Sequence, residues 1–385
     1  MRSCLYRSWR QPRFASAVFQ GEGALAYRRG GLGGHPQRAI VPSGCCQYAL
    51  WMNINPSPAN TSALSVAIIG AGLAGLACAD ALVAAGHRVT LFDKARGPGG
   101  RMSTRRIATP LGEASFDHGA QYFTARDPAF CAQVARWEAL GVAAPWPEAG
   151  AEAWVGVPAM NAPVRQMASA HDVQWSARVD RLARGASGWL LQGDGVPDQA
   201  FGVVVVAIPA EQAAALLEPW DTAMAQQAAA TVSAPCWTTM LALAETLPTP
   251  IKTLRDRGAI GWAALNSSKP GRTGPESWVI QASPDWSRAH LEADGDWVTQ
   301  TLVAALVDAL GVEIPEPVSA VSHRWRYARS GALGAGFLHN AANDLAACGD
   351  WLIGPRVESA WCSGALLGQH LSKQHGADIG PTLPM

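Results

Sequence analysis

An apolar run, Val66–Ile69, passes straight into Gly70-Ala71-Gly72-Leu73-Ala74-Gly75, and the helical pattern that follows stops at Gly86. Strand, glycine-rich turn and helix in this order make the βα unit that holds a dinucleotide. Gly70 permits the tight turn, Gly72 lets backbone approach a pyrophosphate, and Gly75 allows close helix–sheet packing. Leu73 and Ala74 open the helix, whose free N–H groups and positive dipole end face the phosphates. Arg88–Phe92 reads as the second strand, and Asp93 stands 18 residues past Gly75 (93 − 75). A carboxylate there accepts hydrogen bonds from a ribose. The motif alone leaves NAD, NADP and FAD open.

Arg96-Gly97-Pro98-Gly99-Gly100-Arg101-Met102-Ser103 follows the second strand at once. Two arginines and bare backbone suit a larger cofactor whose phosphates are clamped from a second side. Together the two segments resemble the flavoprotein family that includes amine oxidases, phytoene desaturases and protoporphyrinogen oxidase, which carries Gly-Gly-Arg after the acidic residue. Val203–Ile208 with Pro209-Ala210, and Ala347-Cys348-Gly349-Asp350-Trp351 before Arg356–Gly364, extend the likeness. Phe92-Asp93-Lys94, Asp117-His118-Gly119-Ala120-Gln121-Tyr122-Phe123-Thr124, Trp154-Val155-Gly156, Ser268-Lys269-Pro270-Gly271-Arg272 and His323-Arg324-Trp325 are similar to the bacterial renalase branch. The likeness covers roughly Leu64 to Gln369.

What the resemblance implies is an α/β chain: a Rossmann-like, glutathione-reductase-type FAD domain with an inserted substrate domain of mixed, mostly antiparallel sheet plus helices. It implies non-covalent FAD held by Gly70, Gly72, Leu73, Ala74, Gly75, Asp93, Lys94, Gly100, Arg101, Met102, Gly119, Ala120, Val179, Gly349, Asp350, Val357 and Glu358. Asp350 would meet the ribityl or phosphate portion, and the helix start at Val357 would face the flavin ring. Gln121, Tyr122, Phe123, Thr124, Trp154, Val155, Gly156, Cys236 and Trp351 would line the donor site. The activity implied is oxidation of isomeric, misreduced dihydronicotinamide dinucleotides to NAD(P)+, with dioxygen as acceptor and hydrogen peroxide as product. A flavin amine oxidase or desaturase, and a non-catalytic binding scaffold, are the alternatives.

With 385 residues, 49% hydrophobic and 16% charged, the chain can bury the cores of about two domains. No apolar run reaches the roughly 18 residues that cross a bilayer. The first 51 residues hold seven arginines and one acid, Glu22, leaving a body with 23 basic against 29 acidic residues. That acidic body argues against nucleic acid. The leader reads as a start assigned upstream of Met52, or as a transit peptide. Cys78, Cys131, Cys236, Cys348 and Cys362 show no metal-ligand spacing, so no metal is expected, and the usage fits a reducing cytoplasm.

Residues 1–62 are expected to form a disordered extension. Residues 63–125, 170–210 and 345–372 would make the discontinuous FAD domain, and 126–169 with 211–344 the substrate domain. Predicted strands include Phe116–Phe123, Val173–Trp175, Val179–Leu182, Trp189–Leu191, Trp237–Leu243, Trp278–Gln281 and Val321–Tyr327; predicted helices include Pro128–Leu140, Pro209–Leu217 and Trp297–Leu310. Hydride transfer belongs to the cofactor, so the protein's task is orientation. Tyr122, His323 and Lys269 are the candidates for a catalytic role, with Lys269 expected in a polar, solvated loop. Oligomeric state is not legible.

Overall fold

The computed structural model describes residues 63–375, so the expectations for the leader lie outside the described residues. β1 (Ser65–Ile69), β2 (Arg88–Asp93), β7 (Asp172–Trp175), β11 (Val203–Val206), β17 (Leu338–Asn340) and β18 (Leu345–Ala347) form one sheet. Its order is β17-β18-β11-β1-β2-β7, parallel throughout except for β17 on the edge. Alternate residues of its strands serve two cores. Val66, Ile68, Val203 and Val205 enter one, and Ala67, Ile69, Val204 and Val206 enter the other. A parallel strand covered on both faces has no polar side, which is why four valines run in succession.

The first core holds α1 (Leu73–Ala84), α2 (Pro128–Ala139), α3 (Ala162–Ala168) and α9 (Val357–Gln374). The second holds α4 (Ala210–Leu217), α5 (Thr222–Ala229) and α8 (Asp350–Ile353). Also in it is a small antiparallel sheet of β8 (Arg181–Gly185), β9 (Gly188–Gln192) and β10 (Ala200–Phe201). α1 and α9 lie side by side on a glycine seam. A Cβ at Gly364 would collide with Ala74 O, and one at Gly368 would lie 2.7 Å from Cys78 O.

The second large sheet comprises β12 (Ala234–Leu243), β13 (Thr253–Arg257), β14 (Ile260–Leu265), β15 (Glu276–Ala282) and β16 (Ser319–Arg329), in the order β13-β14-β15-β12-β16. It is antiparallel. One face buries Trp237, Leu241, Ala263 and Ile280 against Val298, Leu302 and Leu306 of α7 (Gly295–Leu310). On the other face Met240 and Val279 pack on Ala114 and Phe116 of the hairpin β3 (Arg105–Thr109) and β4 (Gly112–Phe116). α6 (Pro284–Ala289) follows β15, and a small hairpin joins β5 (Ala143–Pro145) to β6 (Trp154–Gly156).

Three expectations need correcting. The strand expected over Phe116–Phe123 ends at Phe116, because Asp117 N donates to Asn266 Oδ1 and its carboxylate is engaged elsewhere, so no ladder continues. Leu338–Asn340, expected in the substrate domain, is an edge strand of the parallel sheet. α2 and α3, and likewise α4 and α5, were also expected there. They pack instead on the two faces of the parallel sheet, since their apolar residues find their cover in its two cores.

Candidate active site

At the glycine turn, Gly70 has φ +106° and Gly100 has φ +52°, conformations that favour glycine. A Cβ on Gly75 would collide with Gly70 O, whereas one on Gly72 would meet nothing within 4 Å. The nearest atom to a Cβ on Gly100 is Gly72 Cα at 3.9 Å, so the two bare backbones border one opening. α2, α5, α6 and α7 are capped by Asp127, Asp221, Ser283 and Asp294. α1 and α9 have no side-chain cap. Their free N–H groups are donors for anionic or electron-rich groups of a ligand. Ser359, in the first turn of α9, has a buried hydroxyl without a partner among the described residues. Bare backbone, two uncapped helix starts and an unused hydroxyl fit FAD.

The expected cofactor residues are partly engaged with one another. Asp93 accepts from Ala71 N at 2.9 Å and Ala95 N at 2.8 Å, bracing the turn from the end of β2. Asp350 is paired with Arg101 through two hydrogen bonds of 2.6 and 2.8 Å. Lys94 Nζ donates to Gln212 Oε1. Ala120 N donates to Arg101 O, and Gly119 leaves no room for a Cβ against that same carbonyl. Glu358 accepts from the N–H groups of Arg126 and Asp127, so its carboxylate braces a loop. Met102 and Gly349 are buried, while Val179 and Val357 are half-buried at core edges.

The segment after Phe116 is gripped by a buried ion cluster. Asp117 accepts from Thr104 Oγ1 and Met160 N on one oxygen. The other oxygen accepts from Lys269 Nζ at 3.1 Å and Arg272 Nη2 at 2.5 Å. Burial alone would raise the Asp117 carboxyl, but the two cations override it and hold it well below the usual range. Burial pulls the Lys269 ammonium down to about 8, with Asp117 opposing and Arg272 adding to the shift. Lys269 is thus sealed in the protein, not solvated in a polar loop as expected; its side chain is 0% exposed. Lys269 Nζ also donates to Gln121 Oε1, while Gln121 Nε2 donates to Asp117 O and Gly119 O. Gln121 therefore faces inward, contrary to the donor-binding role expected of its amide.

Across the antiparallel sheet the register aligns Arg255, Trp262, Gln281, Thr238 and His323, one from each strand, on a single face. Cys236 and Trp325 form the next pair along it. This face meets the gripped loop: Gln281 Nε2 donates to Gly119 O at 2.7 Å and Trp325 Nε1 to His118 O at 2.8 Å. His118 lies edge-on to His323 and tilted against Trp325, each with ring centroids 5.1 Å apart. Burial, with His323 and Arg105 adding repulsion, lowers His118 to about 4. Burial likewise lowers His323. Burial raises the Cys236 thiol to about 11, so it is no thiolate at neutral pH.

Of the expected donor-site residues, Tyr122, Phe123 and Thr124 continue the gripped loop, and Phe123 bridges to Trp154 of β6. Val155 and Trp351 are 0% exposed. Trp351 is turned by α8 into the core shared with Val204 and Val206. Val155 is likewise interior to the first core, and Gly156 is buried, its carbonyl accepting from Arg272. Sequence reasoning gave no role to Asp117, His118 or Arg272, and missed Arg255, Trp262 and Gln281. Ile260–Leu265 is apolar or glycine throughout, so no alternation marked the face on which Trp262 lies. A cavity of about 740 Å³ beside Ser65, Arg88, Thr90 and Asp172 lies at the amino ends of the parallel strands, away from these groups.

Residues 68–135 match the family described as NAD(P)-binding Rossmann-like domain, and residues 147–336 that described as Flavin containing amine oxidoreductase. FLOWERING LOCUS D of Arabidopsis thaliana is 40% identical over 86 residues, 22% of this chain and 11% of that protein. The chain thus matches only about a tenth of the length of that curated relative. A structure assigned as a protoporphyrinogen oxidase from Exiguobacterium sp. 255-15 superposes with TM-score 0.61 at 12% identity, covering 82% of this chain and 100% of that one. Cyclohexylamine oxidase from Brevibacterium oxydans IH-35A gives TM-score 0.61 at 15% identity, covering 81% and 99%. A putrescine oxidase gives 0.54 at 15%, covering 81% and 99%. At such identities the structural likeness is one of fold. The two family matches, over residues 68–135 and 147–336, together with the shared fold, support an FAD-dependent oxidoreductase with the flavin amine oxidase architecture.

Proposed function

We propose that the protein is a renalase-like oxidase converting isomeric dihydronicotinamide dinucleotides to NAD(P)+. The observation that carries this reading is the cross-strand row Arg255–Trp262–Gln281–Thr238–His323, in which the half-buried Gln281 and His323 offer an amide and an imidazole next to the half-buried Trp325, and which contains no carboxylate. A free amine arrives as a cation and is best held by a carboxylate or an aromatic cage. A dihydronicotinamide is flat, uncharged at the ring, and carries a carboxamide. Gln281 gives its Nε2 to Gly119 O, which leaves Oε1 to accept from that carboxamide. Trp325 and the neutral His323 bound the plane beside it. The chemistry FAD supplies when bound is acceptance of the donor's hydride; with dioxygen and one proton the products are NAD(P)+ and hydrogen peroxide. The chain's part is to hold the donor carbon in line, where misplacement by an ångström costs about a hundredfold in rate.

Amine oxidation is the second reading, favoured by the description of the matched family and by the buried Lys269 beside the gripped loop. Anaerobic mixing of the flavin-loaded protein with each donor separates them. Rapid bleaching of the flavin band by isomeric dihydronicotinamides, with peroxide on admitting air, is expected. Rapid bleaching by simple amines, with no response to the dinucleotides, moves the protein to the amine reading.

A further inference from the structure

Arg255 leaves the edge strand β13 where three segments meet. Its guanidinium carbon lies 4.4 Å from the ring centroid of Trp262 and 5.5 Å from that of Tyr122. Nη2 alone makes both of its hydrogen bonds, donating to Tyr122 Oη at 3.1 Å and Ala149 O at 2.9 Å. Nε–H and the Nη1 hydrogens have no partner among the described residues, and no carboxylate pairs with this arginine there. The side chain is nevertheless exposed. An exposed arginine is ordinarily free to rotate. This one is pinned by two aromatic rings, a phenol and a carbonyl, so most of its rotamer freedom is already lost before a ligand arrives. What remains are oriented, unused donors on Nε and Nη1, which point to different edges of the guanidinium plane and can each reach a phosphate oxygen singly, beside an unpaired positive charge.

Position on the sheet narrows the ligand. Arg255 and Gln281 are two strands apart in one row, a separation of about 10 Å. That is about the length of a nucleoside, the unit between a nicotinamide carboxamide and the diphosphate of its dinucleotide. We propose that Arg255 is a specificity-determining residue that receives the diphosphate of the dinucleotide donor while the nicotinamide lies toward Gln281. The assignment rests on the oxidase reading above. It gives the site a charge reason to prefer whole dinucleotides to ring fragments and to disfavour ammonium donors, which the guanidinium repels.

ADP-ribose is the probe, since it carries the diphosphate and no ring that donates hydride. Binding is read calorimetrically on the FAD-loaded protein. Arg255→Gln should weaken ADP-ribose about tenfold or more, and Arg255→Lys, which keeps the charge without the guanidinium's stacking and hydrogen bonds, by less. The same Arg255→Gln protein should retain its FAD and show a rise in KM for the dinucleotide donor that exceeds any change in kcat. Its turnover of the phosphate-free dihydronicotinamide riboside should match the parent. Equal ADP-ribose affinity in parent and Arg255→Gln overturns the proposal. So does an equal loss with the phosphate-free donor, which would make Arg255 only a staple between segments. If no dihydronicotinamide reduces the flavin while ADP-ribose binding still depends on Arg255, the oxidase reading fails and the diphosphate site stands.

Discussion

The parallel sheet and the antiparallel sheet contribute to this site in opposite ways. At the carboxyl ends of β1 and β2 the working parts are backbone: bare Gly72 and Gly100, and the uncapped start of α1. On the antiparallel sheet they are side chains brought into one row by register, from Arg255 to His323. Between them lies the segment from Asp117 to Thr124, which donates from Ala120 N to Arg101 O on one side and accepts from Lys269, Arg272 and Gln281 on the other. A backbone site is specified by where side chains are missing. A side-chain site is specified by which strands become neighbours.

The strongest test of this division strikes the joint. Asp117→Ala leaves Lys269 and Arg272 buried without their anion, and should cost about 3–5 kcal/mol in urea unfolding. Adding Lys269→Met should recover part of it, because one uncompensated cation disappears. A loss below about 1 kcal/mol would show that the halves are held together by other contacts. Acid provides the next test. His118 titrates at about 4 in the folded protein against 6.5 as its ordinary value. Its contribution is therefore complete above pH 6.5 and disappears as pH falls through about 4. Measured between those limits, the parent should lose on the order of 3 kcal/mol more than His118→Asn. Equal acid sensitivity would reject the burial of a neutral imidazole.

The smallest effect separates the two roles of glycine within the backbone half. Gly72→Ala adds a methyl to open space, so melting of the cofactor-free protein should be unchanged while FAD binding weakens about tenfold or more. Gly75→Ala must push α1 from the sheet and should cost the cofactor-free protein about 1–3 kcal/mol. If both variants lower cofactor-free stability alike, Gly72 is structural and the opening it borders is not a phosphate cradle.

The backbone half was legible because its signals are local. Val66–Gly75, the second strand and Asp93 stand within thirty residues, and the valine run 203–206 marks a strand covered on both faces. Arg101 and Asp350 were each singled out, yet their pairing spans 249 residues and only the fold brings them together. The joint misled for a physical reason. Ser268–Arg272 is polar in composition and looks solvated, but Asp117 and Gln121 supply the acceptors that allow a lysine and an arginine to be buried. Trp351 misled in the other direction: an aromatic beside Asp350 suggested a pocket wall, and the short helix it starts in turns it away. The row on the antiparallel sheet needed the pairing order β13-β14-β15-β12-β16, which alternation within single strands does not contain.

The glycine seam between α1 and α9 fixes more than packing. Gly364 sits against Ala74 and Gly368 against Cys78, so the helices run in the same direction with a set stagger. Gly364 is seven residues into α9 and Ala74 one residue into α1; the start of α9 therefore overhangs that of α1 by six residues, about 9 Å. Two positive helix ends, offset along a common direction and unable to slide, form a gauge. A ligand with electron-rich groups at matching distance engages both ends, whereas a shorter one leaves one end facing water. The seam thus sets the spacing of the two helix starts, and larger residues at Gly364 or Gly368 would alter that spacing by pushing the helices apart.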